Sequence, residues 1–178
     1  MREFNRTQVV AMSSVLAAVY AVVTLFAPVP QYEAVQLRFA DCLEVLIFFL
    51  GWPGVIGLSV GCLVANINSP YPLDVVIGTF STFASTIFIM YVGKKSSVEN
   101  LKRDLLFSMI VSSGITGAII GYLLWISVGI PLWFGAVTVA LSQLVAKVVI
   151  GYPVGLALPK FAPGVFHVEG LKVETSGK

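Results

Sequence analysis

Arg38, Asp41 and Glu44 recur every third residue within a strongly apolar stretch, and Asp74 stands at the head of another. An ionisable side chain at the middle of a membrane helix costs at least about 2.5 kcal/mol, so each of these groups needs a partner or a task. Three-residue spacing keeps the first three along one drifting face of a helix, turned into a bundle. With Asn66 a little before Asp74, the group offers three carboxylates, one guanidinium and one amide. Its negative excess suits a ligand that donates hydrogen bonds, whereas an internal tie needs no excess. The competing reading has Arg38 pairing with Asp41 and Asp74 to pin helix ends, Asn66 capping a loop, and Asp74 capping its own helix. Lys147, one turn from Gln143, is expected to pair with Glu44 or Asp41, either as a tie or facing the ligand. Tyr32, Tyr71, Trp125 and Trp133 can stack on a planar ligand, although such aromatics more often anchor at a membrane interface.

The elements that position these residues follow from composition. The chain of 178 residues is 57% hydrophobic and 11% charged, with a mean hydropathy of +0.93. Those values lie outside the soluble range and make lipid its solvent. A bilayer core about 30 Å thick takes roughly 20 apolar helical residues to cross, and the alternating segments of a barrel are missing. The expectation is an all-α polytopic protein, one domain over residues 1–178 with six transmembrane helices and a polar tail at 159–178. Its spans fall near 8–27, 35–50, 53–67, 73–92, 105–128 and 132–158. Pro28 and Pro30, Gly51-Trp52-Pro53-Gly54, the Asn66 to Pro72 loop and Gly129-Ile130-Pro131 separate them. The run from Val9 to Val29 is long for a signal peptide and reads as the first span.

Orientation follows from lysine and arginine, which are retained on the cytoplasmic side. Arg2 and Arg6, then Lys94, Lys95, Lys102 and Arg103, then Lys160, Lys172 and Lys178 share one side if the spans number six. Both termini are therefore expected inside, with Arg38, Asp41, Glu44, Asn66 and Asp74 gathered in the outer half, where they could capture a small polar solute for uptake.

Other classes find no support. A net charge of +2 gives no nucleic-acid footprint. Cys42 and Cys62 lack CxxC spacing and read as buried free thiols, and His167 as a solvated tail residue, so nothing asks for a metal or cofactor. No Walker A loop, HExxH, GxSxG or serine-histidine pair within a span is present. An intramembrane enzyme is disfavoured, and any pumping must be powered by another protein. Ser13, Ala17 and Ala21 repeat every four residues, as do Ser14 and Ala18; with Gly57-x-x-x-Gly61 and Gly117-x-x-x-Gly121 they make smooth helix faces.

The string Val35-Gln36-Leu37-Arg38-Phe39-Ala40-Asp41-Cys42-Leu43-Glu44-Val45-Leu46, then Gly61 to Asn66, then Tyr71 through Asp74 to Gly78-Thr79, resembles the QueT family. The likeness covers most of residues 1–158. Asp41-Cys42-Leu43 stands where the family pattern has an acid, alanine and leucine, with aspartate in place of the expected glutamate. The resemblance implies a substrate-binding (S) component of an energy-coupling factor transporter for queuosine precursors. Such a component docks on a membrane coupling subunit that carries two cytoplasmic ATPases, and topples in the bilayer during transport. It also implies that Ala17 and Ala21 belong to the docking face. The expected ligand-binding residues are Arg38, Asp41, Glu44, Asn66, Asp74, Lys147, Tyr71 and Trp133. One carboxylate would accept the paired N–H donors of a 7-deazaguanine, Asn66 or Arg38 would suit its carbonyl, and Asp74 or Glu44 would hold an aminomethyl cation. An S-component for another small vitamin, or a structural membrane protein with helix-locking charges, are the alternatives.

Overall fold

The computed structural model describes residues 4–27, 38–97 and 99–161. Arg2, Gln31, Tyr32, Glu33, residues 35–37, His167, Lys172 and Lys178 lie outside the described residues. The rest form six helices and, among the described residues, no strand. They are α1 (Arg6–Phe26), α2 (39–50), α3 (Trp52–Asn66), α4 (Asp74–Lys95), α5 (Leu101–Val128) and α6 (Leu132–Phe161). Four of them, α1, α4, α5 and α6, are long and apolar enough to cross a membrane.

Local chemistry sets several of the ends. Asn5 Oδ1 accepts from the Gln8 amide at 2.9 Å while Gln8 Oε1 accepts from the Asn5 amide at 3.1 Å, a reciprocal cap that starts α1. Gly129 takes a φ of 76° after the last residue of α5, as a left-handed helix end requires. α5 starts four residues before the expected boundary, because Lys102, Arg103 and Asp104 make a polar first turn that the apolar pattern does not include.

The two short helices depart furthest from expectation. α2 begins at Phe39 rather than 35; Phe39–Leu46 is wound as a 3₁₀ helix and only Ile47–Leu50 as an α-helix. At about 2.0 Å and about 1.5 Å of rise per residue, this reaches roughly 22 Å, short of the bilayer core. α3 is a similarly short helix of 15 residues. Gly51, with φ 65°, reverses the chain between them.

α1 packs on α3, α3 on α4, α4 on α5 and α5 on α6, while α2 touches α1, α3, α4 and α6. The result is an arc of five helices around a short central one. Ile47, Phe48, Phe49 and Leu50 of α2 are buried with Leu58, Ile89, Leu105 and Met109, whereas Val15, Val22, Val76, Phe80 and Val149 are exposed on the periphery. Apolar side chains on both the inside and the outside fit a bundle immersed in lipid.

Lipid is as apolar as this core, so close packing and polar bonds must hold the helices together. The small residues provide the close packing. A methyl group on Gly61 would stand 2.7 Å from the Ala17 carbonyl oxygen, and one on Gly57 2.8 Å from that of Ser13. The stripe on α1 therefore serves an internal contact with α3. Ala21 is buried, while Ala17 keeps an outer edge along a groove with Val10, Ser14, Ile56 and Val60. Gly117 and Gly121 bring α5 onto Ala136 and Ala140 of α6 in the same way. A methyl group at Gly121 would lie 2.5 Å from the Ala136 backbone nitrogen, which no rotamer change can move. Gly121→Ala is accordingly expected to destabilise by about 1–3 kcal/mol, read as a lower melting temperature in detergent. Gly114→Ala, which meets open space on the same helix, should not lower it.

Candidate functional site

α2 carries the charges to the centre of the bundle, and its winding decides how they are presented. A 3₁₀ helix repeats every three residues, so Arg38, Asp41 and Glu44 form a straight column rather than the drifting face of an α-helix. Their levels are separated by about 6 Å each. Facing this column, α6 opens into a π-helix over Val145–Gly151. Pro153 supplies a local reason: a proline ring collides with the carbonyl four residues earlier, and a widened turn ahead of it relieves the clash. Gly151 lets the widened turn approach closely; a methyl there would be 3.0 Å from the Cys42 carbonyl oxygen. Both irregular segments thus pack against one another where the charge is greatest.

At the level nearest the α3–α4 loop, Arg38 Nη2 donates to Asn66 Oδ1 at 3.2 Å and to Asp74 Oδ2 at 3.1 Å. Asn66 Nδ2 donates to the Asp74 backbone carbonyl at 3.0 Å, tying the end of α3 to the start of α4. Asp74 is the first residue of α4 and makes no side-chain cap; Leu73 occupies the capping position, so the capping explanation does not hold. Cys62 is buried here, and its sulfur accepts from Asn66 Nδ2 at 3.3 Å and Thr82 Oγ1 at 3.1 Å, with Arg38 Nη1 at 3.9 Å. Cys42, in contrast, is only half-buried.

At the second level Asp41 accepts from the Tyr20 hydroxyl at 2.5 Å and from Gln143 Nε2. Arg38 also lies within electrostatic reach of Asp41 and Tyr20, which joins the first two levels. At the third level Lys147 Nζ lies 2.8 Å from Glu44 Oε2, with Ser112 and Thr116 hydroxyls at 3.5 and 3.4 Å, and Ser85 donates to Glu44 at 3.2 Å. Of the two partners expected for Lys147, the structure selects Glu44.

Five residues of ordinarily charged type are thus buried together among the described residues, three acidic and two basic, a formal balance of one negative charge. Asp74 is matched by Arg38 and Glu44 by Lys147; Asp41 holds only neutral donors.

The structure brings together Arg38, Asp41, Glu44, Asn66, Asp74 and Lys147. It does not bring Trp133 to them: that ring is 70% exposed and rests edge-on against its neighbour Phe134. Tyr71 packs on the apolar group of Ile120, Leu123, Leu124 and Val139. Sequence reasoning passed over Tyr20 and Gln143 as site residues. A signal existed for each, since a phenol or an amide within an apolar span needs a hydrogen-bonding partner.

A family model described as QueT transporter matches residues 10–160. The chain belongs to the QueT transporter family. Comparison with curated proteins and with solved structures yields no match. Every buried ionisable residue described above falls within the matched segment, so the charged column belongs to the part of the chain that makes it a QueT protein. Membership makes the chain a transport protein rather than an enzyme, and one with a transported substrate.

Proposed function

We propose that this QueT family member is the substrate-binding component of an energy-coupling factor importer and captures a queuosine precursor at the outer face. In this reading all six helices lie in the membrane. The ends bearing Arg6, Lys94, Lys95, Lys102, Arg103 and Lys160 are cytoplasmic by the positive-inside rule, and the α3–α4 loop with the Arg38 level is external. A membrane coupling subunit and two cytoplasmic ATPases supply the energy. Ala17 and Ala21 are carried forward as docking residues, with Ala17 the one that retains an outer edge on the α1–α3 groove.

One observation carries the reading: among the described residues the buried column sets three carboxylates against two cations, and Asp41 has no cation at ion-pair distance. Burying unmatched charge is costly, and a ligand bringing donors and a positive charge would remove that cost. A 7-deazaguanine with an aminomethyl group brings both. The second reading, that the charges only lock helices, is favoured by the two ion pairs but leaves Asp41 unexplained.

Calorimetry on the detergent-solubilised protein tests this with 7-aminomethyl-7-deazaguanine, queuine and common vitamins. The expected result is saturable binding of a deazaguanine by the isolated chain, with sustained uptake in vesicles only when the coupling subunit and ATPases are present. Strong binding of an unrelated vitamin with no heat from any deazaguanine would reject the substrate and keep the transporter class. No binding of anything would favour the helix-locking reading.

A further inference from the structure

Among the described residues, two carboxylate or amide oxygens in the buried set, Gln143 Oε1 and Asp74 Oδ1, have no donor. Gln143 is the more informative, because its orientation is forced. The Asp41 carboxylate can only accept, so Gln143 must turn its NH₂ toward Asp41 Oδ2. Its carbonyl oxygen is thereby left on the other side of the amide, in a residue only 3% exposed, facing no partner. Such an oxygen is costly while it stays unpaired. Turning the amide over would oppose two acceptors and leave the NH₂ idle.

The unpaired carbonyl is beside Asp41, the carboxylate of this set that has no cation at ion-pair distance among the described residues. Asp74 and Glu44, the acids expected to hold a ligand's positive charge, already carry Arg38 and Lys147. Asp41 does not, and each of its oxygens, with a neutral donor bound, retains accepting capacity.

Resting on the importer reading above, we infer that Gln143 is a specificity-determining residue: Gln143 Oε1 and Asp41 together hold the ligand's ammonium group, and Asp74 Oδ1 accepts a second N–H. The site thus takes a cationic ligand rich in donors and disfavours one whose corresponding substituent only accepts. A nitrile in place of the aminomethyl group would set a lone pair against the carbonyl and leave the charge of Asp41 unmatched.

The test is calorimetry with 7-aminomethyl-7-deazaguanine and 7-cyano-7-deazaguanine on the wild-type chain, Gln143→Met and Tyr20→Phe, each also followed by thermal melting. Wild type is expected to bind the aminomethyl compound at least about tenfold more tightly than the nitrile, the scale of one charge-assisted hydrogen bond. Gln143→Met should erase most of that preference by weakening the aminomethyl compound alone. Tyr20→Phe removes the other donor to Asp41 without touching Oε1, so it should keep most of the preference. Equal losses in the two variants would mean that Gln143 only positions Asp41, and the inference would fall while the importer reading stood. If Gln143→Met does not fold, the wild-type ratio decides, and a nitrile bound as tightly as the amine overturns the inference. Wild type binding neither compound would remove the substrate reading and this inference with it.

Discussion

Replacing Lys147 by methionine is expected to cost the bundle about 3–5 kcal/mol, the scale for removing one member of a buried ion pair. The ammonium is fully buried, at 0% exposure, and 2.8 Å from Glu44. Without it Glu44 retains, among the described residues, the single hydroxyl donor of Ser85 for a carboxylate enclosed by protein. The hydroxyls of Ser112 and Thr116 would lose their charged neighbour as well. The large effect comes from the stranded acid rather than from the intrinsic worth of the pair. The double variant Lys147→Met with Glu44→Gln, which strands no charge, should therefore recover most of the loss. Unfolding in detergent, followed for wild type, both single variants and the double variant, closes the cycle. Additive losses would show that the two side chains do not act as a pair.

The cycle also bears on which parts of the arrangement could be read from the chain. In a soluble helix the apolar stripe reveals the buried face, but in lipid both faces are apolar and the stripe carries little information. Only side chains that lipid rejects remain as markers. The convergence of Arg38, Asp41, Glu44, Asn66, Asp74 and Lys147 was legible for this reason, as were the long spans α1, α4, α5 and α6. The partners were less so. Glu44 and Asp41 lie one turn apart, and only the packing of the π segment of α6 on α2 selects Glu44 for Lys147. The straight column had no local signature, because a three-residue spacing is compatible with an α-helix as well as a 3₁₀ helix. The placement of Trp133 and Tyr71 apart from the column was not legible for a related reason: an aromatic near a helix end can face lipid, a neighbouring helix or a cavity, and its type does not choose among them. The small-residue stripe of α1 and the glycines that receive it, Gly57 and Gly61, were visible in the same chain, but spacing alone does not pair one helix with another.

Gly78 tests whether the Arg38 level takes part in capture as well as in folding. It sits one turn below Asp74 on α4, and a methyl group there would come within 2.2 Å of Asp74 Oδ1 and 2.6 Å of Asn66 Nδ2. Neither atom can retreat without consequence. Asp74 is held by Arg38, and Asn66 is held by both Arg38 and the Asp74 carbonyl. Gly78→Ala must therefore displace the carboxylate, the amide or both from the guanidinium. Helix propensity favours alanine over glycine by about 1 kcal/mol, which offsets part of the strain and lets α4 form. The Arg38 level is not spared. The bond disturbed is the protein's own, so stability falls as well; if the same groups hold the ligand, as proposed above, losing one charge-assisted bond of about 1.5–3 kcal/mol to it corresponds to roughly a ten- to hundredfold loss of affinity. The expected result is a variant that still folds, melts moderately below wild type because a buried ion pair is strained, and binds 7-aminomethyl-7-deazaguanine more weakly than that loss of stability accounts for, with Gly114→Ala as the unaffected control. Undiminished affinity in Gly78→Ala would mean that the Arg38, Asn66 and Asp74 cluster holds helices together and takes no part in capture.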